Sequence, residues 1–309
     1  MSPERFEEHL AVLRGRFHPL PLAALVAAVR SGRIPARAVA LTFDDGYADN
    51  LIHGVPLLEQ HTVPATVYTT AGLLGAAHEF WWKQVEQLLL EPGELPQHLG
   101  IAHPALSWSW DLGSAATYVP ELAEVHRHWV INDRSRPAPT ERHAAFLSLL
   151  DALEPMDSGA RDEVLAGLFN AAGVHRGTRE SHRMLTANQL RELAASDAIE
   201  VGAHTLSHPR LSTLGVAQQE IEIRESKVRL EDVLDTEVVT FAYPFGEPAD
   251  FDATTVRLVR SAGYSSAGAV RDLAVSRSSR PYELPRVGII DWDAGEFERR
   301  LEWWLRRGL

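Results

Sequence analysis

Apolar positions at the start of the chain recur at helical spacing and then close up into short continuous runs. The stretches PERFEEHLAVLRGR (3–16) and PLAALVAAVRSG (21–32) predict two helices. The runs RAVALTF (37–43) and PATVYTT (64–70) predict buried strands, and ADNLIHGVPLLEQH (48–61) predicts a helix between them. A strand, a helix and a strand in this order indicate a parallel α/β unit.

Residues 75–184 follow a different pattern, in which helical periodicity dominates and no strand pattern of comparable strength occurs. The predicted helices are FWWKQVEQLLL, PELAEVHRHWVIND, ERHAAFLSLLDAL and RDEVLAGLFNAAG. We interpret this region as a helical insertion that forms a lid over the substrate. Residues 1–74 and 185–309 are predicted to form one domain together.

The α/β pattern returns after residue 185, where strands and helices alternate again. The predicted strands are IEVGAH (199–204), EVVTFAYP (237–244), YSSAGAV (264–270) and YELPRVGI (282–289). The predicted helices are TANQLRELAAS, AQQEIEIRESKVRLEDVL, DATTVRLVRSAG and EFERRLEWWLRR. Repeated strand–helix units around one core predict a barrel or a doubly wound sheet.

The composition is that of a soluble globular protein, with 45% hydrophobic and 23% charged residues in a chain of 309. The absence of cysteine excludes disulfides, thiolate metal sites and cysteine nucleophiles. A formal net charge of −12 argues against a nucleic-acid partner, because phosphate binding needs a basic face. No apolar run has the length of an integral membrane segment, and the first residues lack a signal-peptide pattern. We therefore expect a cytoplasmic protein, unless an export segment precedes this sequence.

Two polar motifs directly follow predicted strands. Asp44, Asp45 and Gly46 follow the first strand, and His204 and His208 stand four residues apart at the end of the strand at 199–204. Because parallel strands end at one edge of their sheet, both motifs fall on the same side. Two imidazoles and a carboxylate are a usual ligand set that leaves one metal position open for water. Each motif alone is common, so the pair of motifs carries the prediction.

Two further stretches end later strands. Pro244, in FAYPFG (241–246), fixes the direction of the chain at a turn, and Arg286, in LPRVGI (284–289), lies at or beside a strand. Taken alone, the first stretch is equally a strand-ending turn. The second is equally a solvated or structurally paired arginine.

The motifs TFDDG (42–46), HTLSH (204–208) and YPFG (243–246), in this order, resemble those of the polysaccharide deacetylases. This family is also called carbohydrate esterase family 4, or the NodB-homology group. The resemblance covers approximately residues 35–74 and 185–290. It implies an α/β fold, a distorted, incomplete (β/α) barrel, here with a helical insertion.

The resemblance also implies roles for individual residues. Asp44 corresponds to the catalytic base, and Asp45, His204 and His208 correspond to the ligands of a divalent transition metal, for which Zn²⁺ is the first expectation. The backbone amide of Phe245 corresponds to a donor that stabilises the oxyanion. A metal in this site would polarise water and an amide carbonyl, while Asp44 takes the water proton.

The sequence departs from the family pattern in its later motifs. The family commonly supplies the general acid as a histidine in a late Leu-x-His motif, whereas this chain has no histidine after His208 and carries Arg286 at that place. The arginine of the family's third motif is also missing, because Phe241 and Ala242 precede the turn. We hypothesise that Arg286 pairs with Asp44 and orients it.

The proton donor must then come from another residue or from water on the metal. Histidines of the insertion are candidates, with His78 first; the others are His103, His126, His128, His143, His175 and His182. Trp81 and Trp82 either line a sugar site or pack in a core, which is the commoner case. Tyr243 and Pro244 are expected to contact the substrate.

We predict a metal-dependent hydrolase that removes an N-acetyl group from an amino sugar of a glycan or glycan precursor. Removal of a formyl group or an O-acetyl ester by the same groups is the alternative among enzymes. An inactive metal-binding carbohydrate-recognition module is the alternative outside them. The missing late histidine favours this module, whereas Asp44 argues against it, because metal binding needs no base.

Overall fold

The computed structural model describes residues 1–126, 129 and 137–307. Its helices are α1 Pro3–Arg16, α2 Leu22–Ser31, α3 Val55–His61, α4 Trp81–Leu90, α5 Pro120–His126, α6 Glu141–Leu153, α7 Ser158–Ala172, α8 Ala187–Ala194, α9 Val216–Leu234, α10 Ala253–Ser261 and α11 Ala294–Arg307. Its strands are β1 His18–Pro19, β2 Ala38–Val39, β3 Leu41–Phe43, β4 Ala65–Thr69, β5 Gly93–Glu94, β6 His98–His103, β7 Leu106–Asp111, β8 Thr117–Tyr118, β9 Ile199–Ala203, β10 Thr240–Ala242, β11 Ser266–Val270 and β12 Leu284–Arg286. His128 and most of the predicted helical residues after His126 lie outside the described residues.

Six parallel strands form the main sheet, in the order β12-β11-β10-β9-β4-β3. Helices connect most of these strands, as parallel pairing requires. The two edge strands, β3 and β12, do not pair with each other within the described residues. The sheet is therefore the predicted distorted, incomplete (β/α) barrel, open between β3 and β12.

The register of the central strands brings the two polar motifs to one end of the sheet. β4 pairs with β9 from Ala65 opposite Ile199 to Thr69 opposite Ala203. The carbonyl of Thr69 then accepts a 3.0 Å hydrogen bond from the His204 amide, and the amide of Thr70 donates one of 3.1 Å to the Asp45 carbonyl. The end of β4 thus joins the segment after β3 to the segment after β9.

Three apolar clusters cover the barrel. The largest lies between the sheet and helices α8, α9 and α10. A second joins α1, α3 and α11 near the β3 edge, where Leu10 and Phe297 are buried. A third packs Leu25 and Val26 of α2 with Tyr68. These clusters leave the carboxyl ends of the strands as the place for chemistry.

Residues 77–182 form a second compact unit with its own apolar core. The core packs helices α4, α6 and α7 with Leu99 and Trp108 of a β-hairpin, β6–β7. Helical periodicity predicts helices for this region and does not reveal the hairpin, although LSWSWD alternates apolar and polar residues as a half-buried strand does. The fully buried Arg142 donates hydrogen bonds to five backbone carbonyls of this unit.

Two predicted elements of the barrel are divided in the structure. The run 37–43 forms two short strands, β2 and β3, which belong to different sheets. The predicted helix at 48–61 begins with a π-helical turn, Asn50–Gly54, and continues as α3. Among the described residues, no helix has the length and apolar character needed to cross a membrane.

Candidate metal centre

Asp44 and Asp45 point in different directions because the backbone turns between them. β3 ends one residue before Asp44, and Asp45 and Gly46 have positive φ angles of 75° and 87°. A Cβ atom at residue 46 would lie 2.9 Å from Cγ2 of Thr69, so glycine suits both the angle and the close packing. The turn directs Asp44 towards Arg286 and Asp45 towards two histidines.

His204 and His208 lie in the loop after β9 and face Asp45. Oδ1 of Asp45 is 3.7 Å from Nε2 of His204 and 3.4 Å from Nε2 of His208. Nδ1 of His204 donates a 2.8 Å hydrogen bond to the carbonyl of Ala242. Because a carbonyl only accepts, this bond places the proton on Nδ1 and leaves a lone pair on Nε2, on the side of Asp45.

These three side chains fit a divalent metal. Their ligand atoms all lie within 4.8 Å of one another. Nitrogen and oxygen atoms at about 2.0–2.1 Å from a tetrahedral zinc ion lie about 3.3–3.5 Å apart, and the separations of 3.4 and 3.7 Å are close to this. His204 and His208 are buried, whereas the Asp45 side chain is 22% exposed, so the cluster is accessible from the Asp45 side.

Both imidazoles are held in the neutral form that binds metals. Burial lowers the pKa of His204, against an opposing contribution from the Asp44 carboxylate. Burial also lowers the pKa of His208 well below its ordinary value, and the neighbouring His204 adds to this effect. A neutral imidazole binds a metal without first releasing a proton.

A buried glutamate that no sequence motif indicates holds the loop between the two histidines. Glu222, in α9, is 4% exposed. Its Oε2 accepts 2.9 Å hydrogen bonds from the amides of Leu206 and Ser207, and its Oε1 accepts one of 2.6 Å from the Ser207 hydroxyl. The Thr205 hydroxyl accepts a 3.0 Å bond from the His208 amide. These contacts fix the loop that carries both imidazoles.

The backbone at this site is strained. Asp45, Thr205, His208 and Phe245 have positive φ angles of 75°, 63°, 61° and 60°. Non-glycine residues in this region cost of order 1–3 kcal/mol each and persist where surrounding contacts hold them. Strain at a cluster of candidate ligands indicates a site whose geometry is imposed by the fold.

Arg286 forms the two-pronged ion pair with Asp44 that our hypothesis requires. Nη1 of Arg286 lies 2.6 Å from Oδ1 of Asp44, and Nη2 lies 3.0 Å from Oδ2. Burial raises the pKa of Asp44, but the charges of Arg286 and His204 and the Arg286 hydrogen bonds lower it to about 2. The carboxylate is therefore ionised at neutral pH, and each oxygen keeps lone-pair capacity for water. The orienting role of Arg286 stays a prediction.

The surroundings of Arg286 confine its side chain. A Cβ atom at Gly268, on the adjacent strand β11, would lie 2.7 Å from Nε and 2.8 Å from Cδ of Arg286. The Arg286 guanidinium carbon lies 5.2 Å from the centre of the Tyr68 ring, and Nη1 also donates to the Thr42 hydroxyl at 3.2 Å. Glycine, tyrosine and threonine thus direct the guanidinium to Asp44.

The turn after β10 places Phe245 beside the histidine cluster. The ring centres of Phe245 and His208 lie 4.8 Å apart with the rings edge to face. The guanidinium of Arg210 lies over the Phe245 ring, 4.2 Å from its centre, and pairs with the buried Asp250. The Phe245 ring therefore lies beside His208, and the role of the Phe245 backbone amide stays a prediction.

Tyr243 and Pro244 are buried residues of the same turn. The Tyr243 ring is 1% exposed and stacks on Phe251 with a centre-to-centre distance of 3.9 Å. Its hydroxyl donates a 2.9 Å hydrogen bond to the Tyr282 carbonyl, and burial raises its pKa. The expectation that the Tyr243 side chain contacts the substrate is corrected, because this ring is part of the core.

His78, Trp81 and Trp82 belong to the second unit. Trp81 is partly buried against the core of that unit, beneath the Arg161 guanidinium at 4.6 Å. Trp82 stacks on Phe80, with ring centres 4.5 Å apart. Contact of Trp81 and Trp82 with a sugar stays a prediction, as does proton donation by His78.

Comparison with known proteins gives one family match and several structural likenesses. The profile of the family described as "Polysaccharide deacetylase" matches residues 31–126 and 165–267, which is more than half of the chain. The polysaccharide deacetylase homologue YxkH of Bacillus subtilis (strain 168) is 28% identical over 105 residues, which are 34% of this chain. That match spans only 36% of the length of YxkH.

Two solved structures share the fold across nearly the whole chain. The deacetylase PplD of Streptococcus pyogenes, in complex with acetate, has a TM-score of 0.56 at 17% identity, covering 97% of this chain and 86% of PplD. IcaB from Ammonifex degensii has a TM-score of 0.57 at 16% identity, covering 99% of this chain and 90% of IcaB. At these identities the likeness shows the fold.

Substitutions of the two adjacent aspartates should have different effects on metal binding. Asp45→Ala removes a ligand and is expected to abolish stoichiometric binding of Zn²⁺, whereas Asp44→Asn leaves Asp45, His204 and His208 in place and retains it. Equilibrium dialysis against Zn²⁺ followed by metal analysis measures both. Equal zinc content in the two variants would contradict the ligand assignment.

Removal of the Glu222 carboxylate should weaken the metal site without changing a ligand. Glu222→Ala leaves the loop amides unpaired and is expected to lower Zn²⁺ affinity about 10–100-fold. Glu225→Ala, at an exposed position of the same helix, is the matched control. Competition with a chromophoric chelator measures both affinities, and equal values would show that Glu222 does not support the site.

Proposed function

Because this chain belongs to the polysaccharide deacetylase family, we propose that it is a metal-dependent hydrolase that removes N-acetyl groups from an amino sugar of a glycan or glycan precursor. Family membership supports the reaction class, the deacetylation of sugars. The observation that carries the metal dependence is the cluster of Asp45, His204 and His208 at the carboxyl ends of β3 and β9. Zn²⁺ is the proposed ion, because two neutral imidazoles and a carboxylate are a usual zinc set.

Amide hydrolysis needs a base for water, a donor for the oxyanion and an acid for the amine. Asp44 is the proposed base, because its ionised side chain is 37% exposed beside the candidate ligands. A divalent metal held by Asp45, His204 and His208 would supply a Lewis acid for water and for the acyl carbonyl. The Phe245 amide is the proposed oxyanion donor, because the ring of the same residue lies against His208.

The two-pronged ion pair with Arg286 is proposed to orient Asp44. Arg286→Lys replaces two parallel hydrogen bonds with a single point charge and is expected to lower kcat about 10–100-fold, with unchanged zinc content. Steady-state kinetics and metal analysis test this. Arg280→Lys is the control, because the Arg280 side chain is 80% exposed. An unchanged kcat in Arg286→Lys would show that the ion pair does not orient the base.

The central experiment measures acetate released from N-acetylhexosamine oligomers. The zinc-loaded protein is expected to release acetate, a chelator to stop the release, and Asp44→Asn to lower it about 10²–10⁴-fold. Parallel assays with N-formylated and O-acetylated sugars distinguish the other acyl substrates. A zinc-binding protein that releases no acid from any acylated sugar would instead be a recognition module.

A further inference from the structure

A cavity of about 430 Å³ lies beside Asp44, in the opening between the two edge strands of the barrel. Phe43, Ile289 and Phe6 contribute apolar walls, and both Asp44 and Arg286 line it. A cavity of this size lies within the range of small-molecule sites. Because Asp44 lines the cavity, a molecule bound there would adjoin the proposed base.

The proposed reaction leaves one chemical requirement that none of the residues assigned so far meets. The leaving amine must gain a proton as the carbon–nitrogen bond breaks. Arg286, which pairs with Asp44, stays protonated in proteins and does not serve as an acid. Carboxyl groups ordinarily ionise well below neutral pH, so the imidazoles of the cavity are the groups to consider.

Two histidines line this cavity, and they differ in their surroundings. His9 is 2% exposed, its Nε2 donates a 2.8 Å hydrogen bond to the Trp292 carbonyl, and its ring stacks on Phe297 at 4.0 Å. Its proton is therefore held in a structural bond. His53 is exposed and can exchange its proton with solvent.

The backbone places His53 on an unusual turn. His53 lies within the π-helical turn Asn50–Gly54, immediately before α3. A π-turn is rare, widens the helix locally and is frequent at functional sites. Here the turn follows the segment that carries Asp44 and presents His53 to the same cavity.

We infer that His53 is the general acid of the reaction, an inference that rests on the proposed deacetylation. Water loses a proton to Asp44 as its oxygen bonds to the acyl carbon. The carbon–nitrogen bond then breaks, its electron pair stays on nitrogen, and the His53 imidazolium gives that nitrogen its proton. Asp44 releases its proton to solvent, His53 takes one from solvent, and the products are an amine and a carboxylic acid.

Several charged or titratable groups lie near His53 or line the same cavity. Glu4 of α1 lies within electrostatic reach of His53. His9, Asp44, Asp49 and Arg286 line the same cavity. The carboxylates contribute negative potential and Arg286 contributes positive potential, so the pH profile reports the whole group of charges.

The test compares two leaving groups in His53→Gln. An N-acetylated sugar needs a proton on its leaving amine, whereas 4-nitrophenyl acetate releases a phenolate that needs none. We expect kcat for the N-acetylated sugar to fall about 10²–10⁴-fold and kcat for the ester to change less than about threefold. The fall in wild-type amide turnover at high pH should also be lost in the variant.

Two variants complete the experiment. His18→Gln, at an exposed position of β1 outside the cavity, is expected to behave as wild type. His78→Gln tests the histidine of the second unit. The assignment would be overturned if His53→Gln lowered kcat equally on both substrates, or if it left kcat for the N-acetylated sugar unchanged. It would also be overturned if His78→Gln, instead of His53→Gln, lowered kcat for the sugar and spared the ester. A wild-type protein that cleaves the ester and no N-acetylated sugar would refute the proposed function, and the acid role with it.

Discussion

The ion pair between Asp44 and Arg286 joins the two edges of the open barrel at the site of the proposed chemistry. No backbone ladder links β3 to β12 in the described sheet, so these side chains bridge the opening. A closed ladder would occupy the space in which the cavity beside Asp44 lies. One interaction therefore spans the opening and fixes the carboxylate. Its two-pronged geometry restricts rotation of the carboxylate, which a single contact would allow.

The ligand side of the site depends on a different constraint, the strained loop after β9. The positive φ angles of Thr205 and His208 are held by hydrogen bonds to Glu222 and within the loop. The amide of Gly72 also donates a 2.8 Å bond to the Leu206 carbonyl, at a place where a Cβ atom would lie only 2.2 Å from that oxygen. Contacts from α9 and from the turn after β4 thus keep both imidazoles oriented.

The sequence predicted most helices, the parallel sheet and the grouping of Asp45, His204 and His208, because periodicity and strand ends are local signals. The divergence of Asp44 and Asp45 comes from a turn with positive φ at Asp45, which periodicity does not reveal. The role of Glu222 was missed, because it depends on which face of α9 meets a loop 15 residues earlier. The burial of Tyr243 was missed for a similar reason, since its partner Tyr282 lies 39 residues away along the chain.

The space left by Gly268 has a consequence for how this protein can vary. Any side chain at position 268 would collide with Arg286 on the neighbouring strand. The Arg286 side chain therefore occupies space that is available only because residue 268 is glycine. Substitutions at these positions are therefore interdependent, and a larger residue at 268 requires a shorter one at 286. Libraries that redesign this end of the barrel should therefore vary positions 268 and 286 together.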